Sequence, residues 1–144
     1  MADGDRNNPL SSFYMGGFGN NYVDDREVKR YRQFDSFPGF DIDEISARRF
    51  VRAMGEINLP PIRFRDVGIA SLYLSNARTA LFAGALYAEP SIGEAQTYET
   101  AGVQVDLNFT AALRLPMVLS FGYAEGFVDG DDHGGEALIS LKIM

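Results

Sequence analysis

The chain has 144 residues, 13 Lys plus Arg against 20 Asp plus Glu for a net charge of −7, and no cysteine. That length suits one domain with its own core. The acidic balance, with no basic run, excludes a nucleic-acid binder that works by neutralising phosphates, and the lack of thiols excludes disulfides and cysteine metal sites. No stretch approaches ~18 consecutive apolar residues, which excludes helical membrane spans but not the short alternating strands of a β-barrel.

Fifteen glycines, 12% aromatics and no tryptophan, with alternating stretches and no helix caps, read as an all-β chain. Residues 1–9 are polar, lack the apolar segment of a signal peptide and are expected to form a disordered leader. Residues 10–19 (LSSFYMGGFG) predict a short aromatic strand with Phe13 and Met15 on one side and a kink at Gly16 and Gly17. Residues 20–44 form a long charged connection carrying Tyr22, Tyr31, Phe34, Phe37 and Phe40 around a Phe37-Pro38-Gly39 turn signal. A loop of this length is uncommon in a compact domain, and its rings predict that it packs on something. A short helix over 24–31 is compatible with its spacing.

Residues 45–59 (ISARRFVRAMGEINL) fit a strand better than a helix. The strand puts Ala47, Val51, Ala53, Ile57 and Leu59 on one face and Arg48, Phe50, Arg52, Met54, Glu56 and Asn58 on the other. The helical stripe would mix Ile45, Arg49, Arg52 and Glu56. Pro60-Pro61 ends the strand, since neither residue can donate to a ladder. Residues 68–87 predict either one long bent strand or a hairpin through Ser75-Asn76-Ala77, followed by a loop over 88–97.

The clearest pattern lies in 101–127, two strands around Arg114-Leu115-Pro116. Ala101, Val103, Val105, Leu107, Phe109, Ala111 and Leu113 form an apolar wall, with Gln104, Asp106, Asn108 and Thr110 behind it. Met117, Leu119, Phe121, Tyr123 and Phe127 continue that wall on the second strand, opposite Val118, Ser120, Gly122, Ala124 and Gly126. Residues 128–135 (VDGDDHGG) read as a polar loop, with His133 exposed on it and carboxylates that do not match a calcium-loop spacing. Residues 136–144 give a last strand with Ile139, Leu141 and Ile143 aligned. The total is an antiparallel meander of about six strands. Removing the seven wall residues of the first strand from water contributes roughly 10 kcal/mol, equally available from lipid or from a protein core.

No cofactor, metal or catalytic set follows from these residues. There is no G-x-S-x-G, phosphate loop or dinucleotide fingerprint. Glu56 and Asp106 sit on polar strand faces, but no spacing supports a paired-carboxylate hydrolase.

Three stretches carry a family resemblance: 13–21 (FYMGGFGNN), 30–39 (RYRQFDSFPG) and 56–64 (EINLPPIRF). Together they resemble the C-terminal barrel region of bacterial outer-membrane surface-antigen (Omp85-like) proteins, over residues 10 to 144. The resemblance implies a long loop that folds back into a barrel, with Arg32 inserted into the lumen, Phe34 as its aromatic companion and Pro38 and Gly39 shaping the turn. It also implies an acidic strand partner for the arginine, a role open to Asp106 or Glu56. Arg48, Arg52, Glu56, Gln104, Asp106 and Asn108 would then be lumen-facing.

The expectation is a non-enzymatic outer-membrane segment that is part of, or completes, a transmembrane-type β-barrel linked to protein or solute translocation. Its partners would be outer-membrane lipid and the remaining strands of a larger barrel or of a partner chain, because six strands fall short of the usual eight. The alternative is a soluble β-barrel or sandwich that binds a small ligand, with its apolar wall inside.

Overall fold

A computed structural model describes residues 2–3, 12–18, 28–65, 67–69, 71–90, 93–112 and 114–144. The strands are β1 (Ala2–Asp3), β2 (Phe13–Met15), β3 (Ile45–Ala47), β4 (Arg49–Asn58), β5 (Ile62–Arg63), β6 (Gly68–Ile69), β7 (Leu72–Glu89), β8 (Gln96–Ala111), β9 (Leu115–Val128) and β10 (Asp131–Ile143). One antiparallel sheet runs β1-β4-β7-β8-β9-β10, and β2 pairs with β3 in a separate ribbon. The chain is thus the all-β antiparallel meander its alternation implied. From β7 to β10 the strands hold 18, 16, 14 and 13 residues, far beyond the ~5–6 usual in globular sheets.

Register assigns each wall. Val103, Val105 and Leu107 of β8 stand opposite Tyr123, Phe121 and Leu119 of β9, which in turn face Ala137, Ile139 and Leu141 of β10. On the other face Gln104, Asp106 and Asn108 stand opposite Gly122, Ser120 and Val118. The apolar wall is the open one: Val51, Ile57, Leu81, Tyr87, Phe121, Tyr123, Ile139, Leu141 and Ile143 are all exposed. The polar and small wall is covered, with Thr100, Gln104, Asp106 and Ser120 buried. Its cover is the segment 28–44 together with 12–18 and β3.

Several boundaries differ from expectation. Residues 45–58 do not form one continuous strand. β3 leaves the sheet to pair with β2, which buries Ile45 and Ala47 under the covering segment. Arg48 marks the joint, where its N–H donates to Glu89 O at 2.8 Å. Of the two readings of 68–87, the long bent strand holds: β7 runs on through a bulge between Leu74 and Asn76. The 88–97 loop is shorter than expected, since Ala88 pairs with Gln96. The turn after β8 lies before Leu115, which already pairs with Ala111.

The polar loop expected over 128–135 is a two-residue turn. Asp129 (φ 51°) and Gly130 (φ 90°) both take positive φ, the requirement of the tight hairpin turn that Asp-Gly favours. β10 therefore begins at Asp131, and His133 lies on it rather than in a loop. The helix expected over 24–31 falls mostly outside the described residues; what is described is a 3₁₀ turn, Arg30–Arg32. Of the leader at 1–9, Ala2–Asp3 pairs with Phe50 and Arg49, and the rest lies outside the described residues.

Candidate functional site: a plug held on a polar wall

The covering segment is built around rings that land where the wall is small. Phe18 is buried over Gly122, where a Cβ would come within 2.9 Å of its ring. Tyr31 stacks on Phe82, centroids 4.2 Å apart. Met15, Phe37, Phe40 and Ile45 pack with Phe50, Leu86 and Ala88 in a second cluster. The tightest seat joins two glycines. A Cβ on Gly126 would stand 2.5 Å from Gly39 O, and one on Gly39 2.5 Å from Gly126 N. Gly39 also has φ 95°, a region L-residues rarely enter. The turn at Pro38-Gly39 thus lays its backbone directly on β9.

Polar wall residues then read the plug's backbone. The Arg52 guanidinium donates to three carbonyls, Gln33 O and Phe34 O at 2.9 Å and Tyr31 O at 3.0 Å. It caps the end of the 3₁₀ turn, where carbonyls lack helical partners, as a fork of fixed donors does well. Thr100 Oγ1 donates to Pro38 O at 2.5 Å, and Gln104 Nε2 to Val28 O at 3.1 Å. On the far side Glu136 accepts from Phe18 N at 3.1 Å and Gly39 N at 3.2 Å. Three strands, β4, β8 and β10, therefore hold one segment by its main chain.

The densest charge cluster is at Glu56. Its carboxylate accepts from Arg32 Nε at 2.8 Å and Nη2 at 2.5 Å, from Tyr31 Oη at 3.1 Å and from Lys29 Nζ at 3.3 Å. Asn58 adds a donor at 2.6 Å, and Lys29 also donates to Asn58 Oδ1. The two-point Arg32 contact is the strong, geometrically selective kind. Of the two acids open to Arg32, it is Glu56 that meets it. Asp106 instead accepts from Gln104 Nε2 at 2.7 Å and shares a cavity of about 400 Å³ with Lys29, Arg32, Arg78 and Asn108. Asn108 donates to Asn76 Oδ1 across the wall at 3.0 Å. Arg48, expected among the same set, stands at the β3–β4 joint with its Nε buried.

Burial raises the Tyr31 hydroxyl well above the usual phenol range, and the neighbouring Glu56 carboxylate adds to the shift. Because the folded state holds this proton more tightly than the unfolded chain, the plug's stability is complete below the ordinary phenol pKa of ~10 and falls as pH rises past it. In an alkaline titration followed at 295 nm, a final tyrosine step well above the usual phenol range is expected from Tyr31, and Tyr31→Phe should remove that final step. A final step retained in the variant would contradict the assignment.

Phe34 is exposed, its ring packed against Phe13 and Phe50 at 6.4 and 5.7 Å. A groove of about 560 Å³ runs beside it, lined by Arg32, Phe34, Phe50, Arg52, Met54 and Glu56. It follows the inner face of β4, whose free edge is paired only at Phe50 and Arg49 among the described residues. At the opposite end of the plug, His133 Nε2 lies 2.8 Å from Glu44 Oε1 and stacks on Phe40. Among the described residues no three His, Cys, Asp or Glu side chains come together as metal ligands do.

Sequence reasoning does not mark Glu136, Thr100, Gly122 or Gly126 as plug contacts. The alternation places Gly122 and Gly126 on the wet wall and assigns Thr100 and Glu136 to neither; what it lacks is any sign of which segment would cover them. No family model matches the chain, and no curated protein or solved structure does either.

Proposed function

We propose that the chain is a non-enzymatic sector of an outer-membrane-type β-barrel whose lumen-side wall is occupied by the plug 28–44, with a role in protein or solute translocation that the plug gates. The observation that carries this reading is the inversion of the two walls: polar side chains are buried and large apolar ones are exposed. Roughly ten half-exposed apolar side chains leave about 10 kcal/mol of hydrophobic free energy unrealised in water. That is comparable to the whole stability of a typical domain. Lipid against this wall would recover it, as on the outer face of a barrel. The same inversion disfavours the small-ligand carrier, whose apolar wall would face inward.

The likeness of 13–21, 30–39 and 56–64 to the surface-antigen superfamily supports the same reading, and the Arg32–Glu56 contact gives its lumen arginine an acidic partner. Two strand edges set a further condition. Among the described residues β10 pairs only with β9, and β4 is covered on its outer side only by β1. Unpaired backbone in hydrocarbon costs several kcal/mol per group, so the sector requires additional strands, from the same polypeptide or from a partner chain. The groove beside Phe34 lies where such strands would pass.

Refolding with and without detergent tests the proposal. Folded β-structure with heat-shifted gel mobility is expected only when detergent, lipid or a partner chain supplying the missing strands is present. A monodisperse, folded monomer in plain buffer would overturn it.

A further inference from the structure

The outer wall is not uniform along the strands. At the end where β6 turns into β7, an apolar groove of about 530 Å³ opens on this wall, lined by Val67, Ile69, Leu72, Leu74, Leu107 and Phe109 among others. Register explains it. Leu72 and Leu74 share the outer face with Ala111 and Phe109, and Ile69 stands opposite Leu72. Gly68 lets β6 press close, since a Cβ there would collide with Leu72 O. The short β6 thus forms one side of the groove.

Charge is segregated in the same direction. Exposed Arg63 and Arg65 flank the groove on its β5–β6 side, Arg63 opposite Asn76, and exposed Arg114 stands at its tip beyond Ala111. Arg65 lies two residues before Val67, and Arg114 adjoins Leu115, which pairs with Ala111 beside Leu72. Asp66 lies outside the described residues. The opposite end carries exposed Asp41, Asp43, Glu44, Glu89, Asp129 and Asp131. An anionic head group is attracted at one end and repelled at the other.

Resting on the membrane reading above, we infer that this groove is a binding site for an anionic phospholipid. One acyl chain lies along Leu72, Leu74, Leu107 and Phe109, with Arg114 at the tip and Arg65 on the β6 flank supplying the attraction for the phosphate. Zwitterionic lipid fits the groove equally well but gains less from the arginines, so selectivity comes from the head group and occupancy from the groove.

The absence of cysteine makes a site-specific fluorescence test direct. A bimane label is placed at Ser71→Cys, at the tip beside the groove, or at Ile143→Cys, at the same end of the outer wall but on β10. Each labelled chain, together with the strands or partner chain that complete its barrel, is reconstituted in phosphatidylcholine bilayers containing either brominated phosphatidylglycerol or, at equal mole fraction, brominated phosphatidylcholine. At Ser71 the expected result is stronger quenching by the anionic lipid, corresponding to roughly fivefold local enrichment at low salt. That preference should be absent at Ile143 and lost in the Arg65→Ala/Arg114→Ala double variant. Equal preference at both labels, or a preference that survives the double variant, would overturn the site while leaving the membrane reading intact. If no brominated lipid quenches either label, both fail together.

Discussion

Replacing Gly126 with valine is expected to drive the plug off the sheet. The new Cβ would stand 2.5 Å from Gly39 O and 2.7 Å from the Phe40 ring, and neither neighbour can yield. Gly39 O belongs to a turn whose φ of 95° is already special, and Phe40 is itself buried. Overpacking against backbone costs about 3 kcal/mol or more. The sheet's own ladder does not need Gly126 to be glycine, so the loss should fall on the plug alone. Trypsin should then cut rapidly at Lys29, Arg30 and Arg32 while the strands remain resistant. Gly55→Ala is the matched control, because nothing lies within 4 Å of a Cβ there, and its protection should equal that of the parent. Equal protection in Gly126→Val would mean that the plug does not bear on β9 as described.

The second large effect is at Glu56. Glu56→Ala removes the common acceptor of Arg32, Lys29 and Tyr31, leaving two cations and a hydroxyl half-sheltered without it. The expected loss is about 2–3 kcal/mol, above that of an exposed ion pair because several charge-assisted bonds converge. It should be read as a lower temperature for loss of the heat-shifted gel form. Glu56→Gln, which keeps an acceptor but no charge, should fall between. In a double-mutant cycle with Arg32→Ala the coupling should be about 1–2 kcal/mol. A coupling near zero would reduce the contact to an ordinary surface pair.

The two walls are legible in the amino-acid sequence because strand side chains alternate, so Val103–Val105–Leu107 and Gln104–Asp106–Asn108 sort themselves. The ringed stretch around Phe37-Pro38-Gly39 is legible as something that packs, since so many rings rarely stay in water. What it packs on is not. Thr100, Gln104, Arg52 and Glu136 hold backbone groups, and any residue type supplies those, so the plug side carries no matching pattern of side chains. Gly122 and Gly126 are readable only as small members of the polar wall; their purpose depends on which ring or turn arrives opposite. The choice between Glu56 and Asp106 for Arg32 turns on a register between a 3₁₀ turn and β4 that no periodicity encodes. The Asp129-Gly130 hairpin is available from the dipeptide itself and is obscured by the acids that follow. The separation of β3 from β4 comes from the small ribbon with β2, a long-range pairing that competes with simple strand continuation.

The spread of the plug's anchors along the chain has a consequence for the order of assembly. Arg32 meets Glu56 across 24 positions, Gly39 meets Glu136 across 97 and Phe18 meets Glu136 across 118. The plug precedes every strand of its seat, and its last anchor sits on the final strand. Contacts this distant in sequence form slowly, because loop closure must come before the reward. A partly built sheet can offer Glu56 and Arg52 but not Glu136, so the plug would remain loosely tethered until β10 is laid down. Protection of Phe18 and Gly39 amides from exchange would therefore be a timestamp for completion of the sheet, arriving after protection of the Arg32 turn.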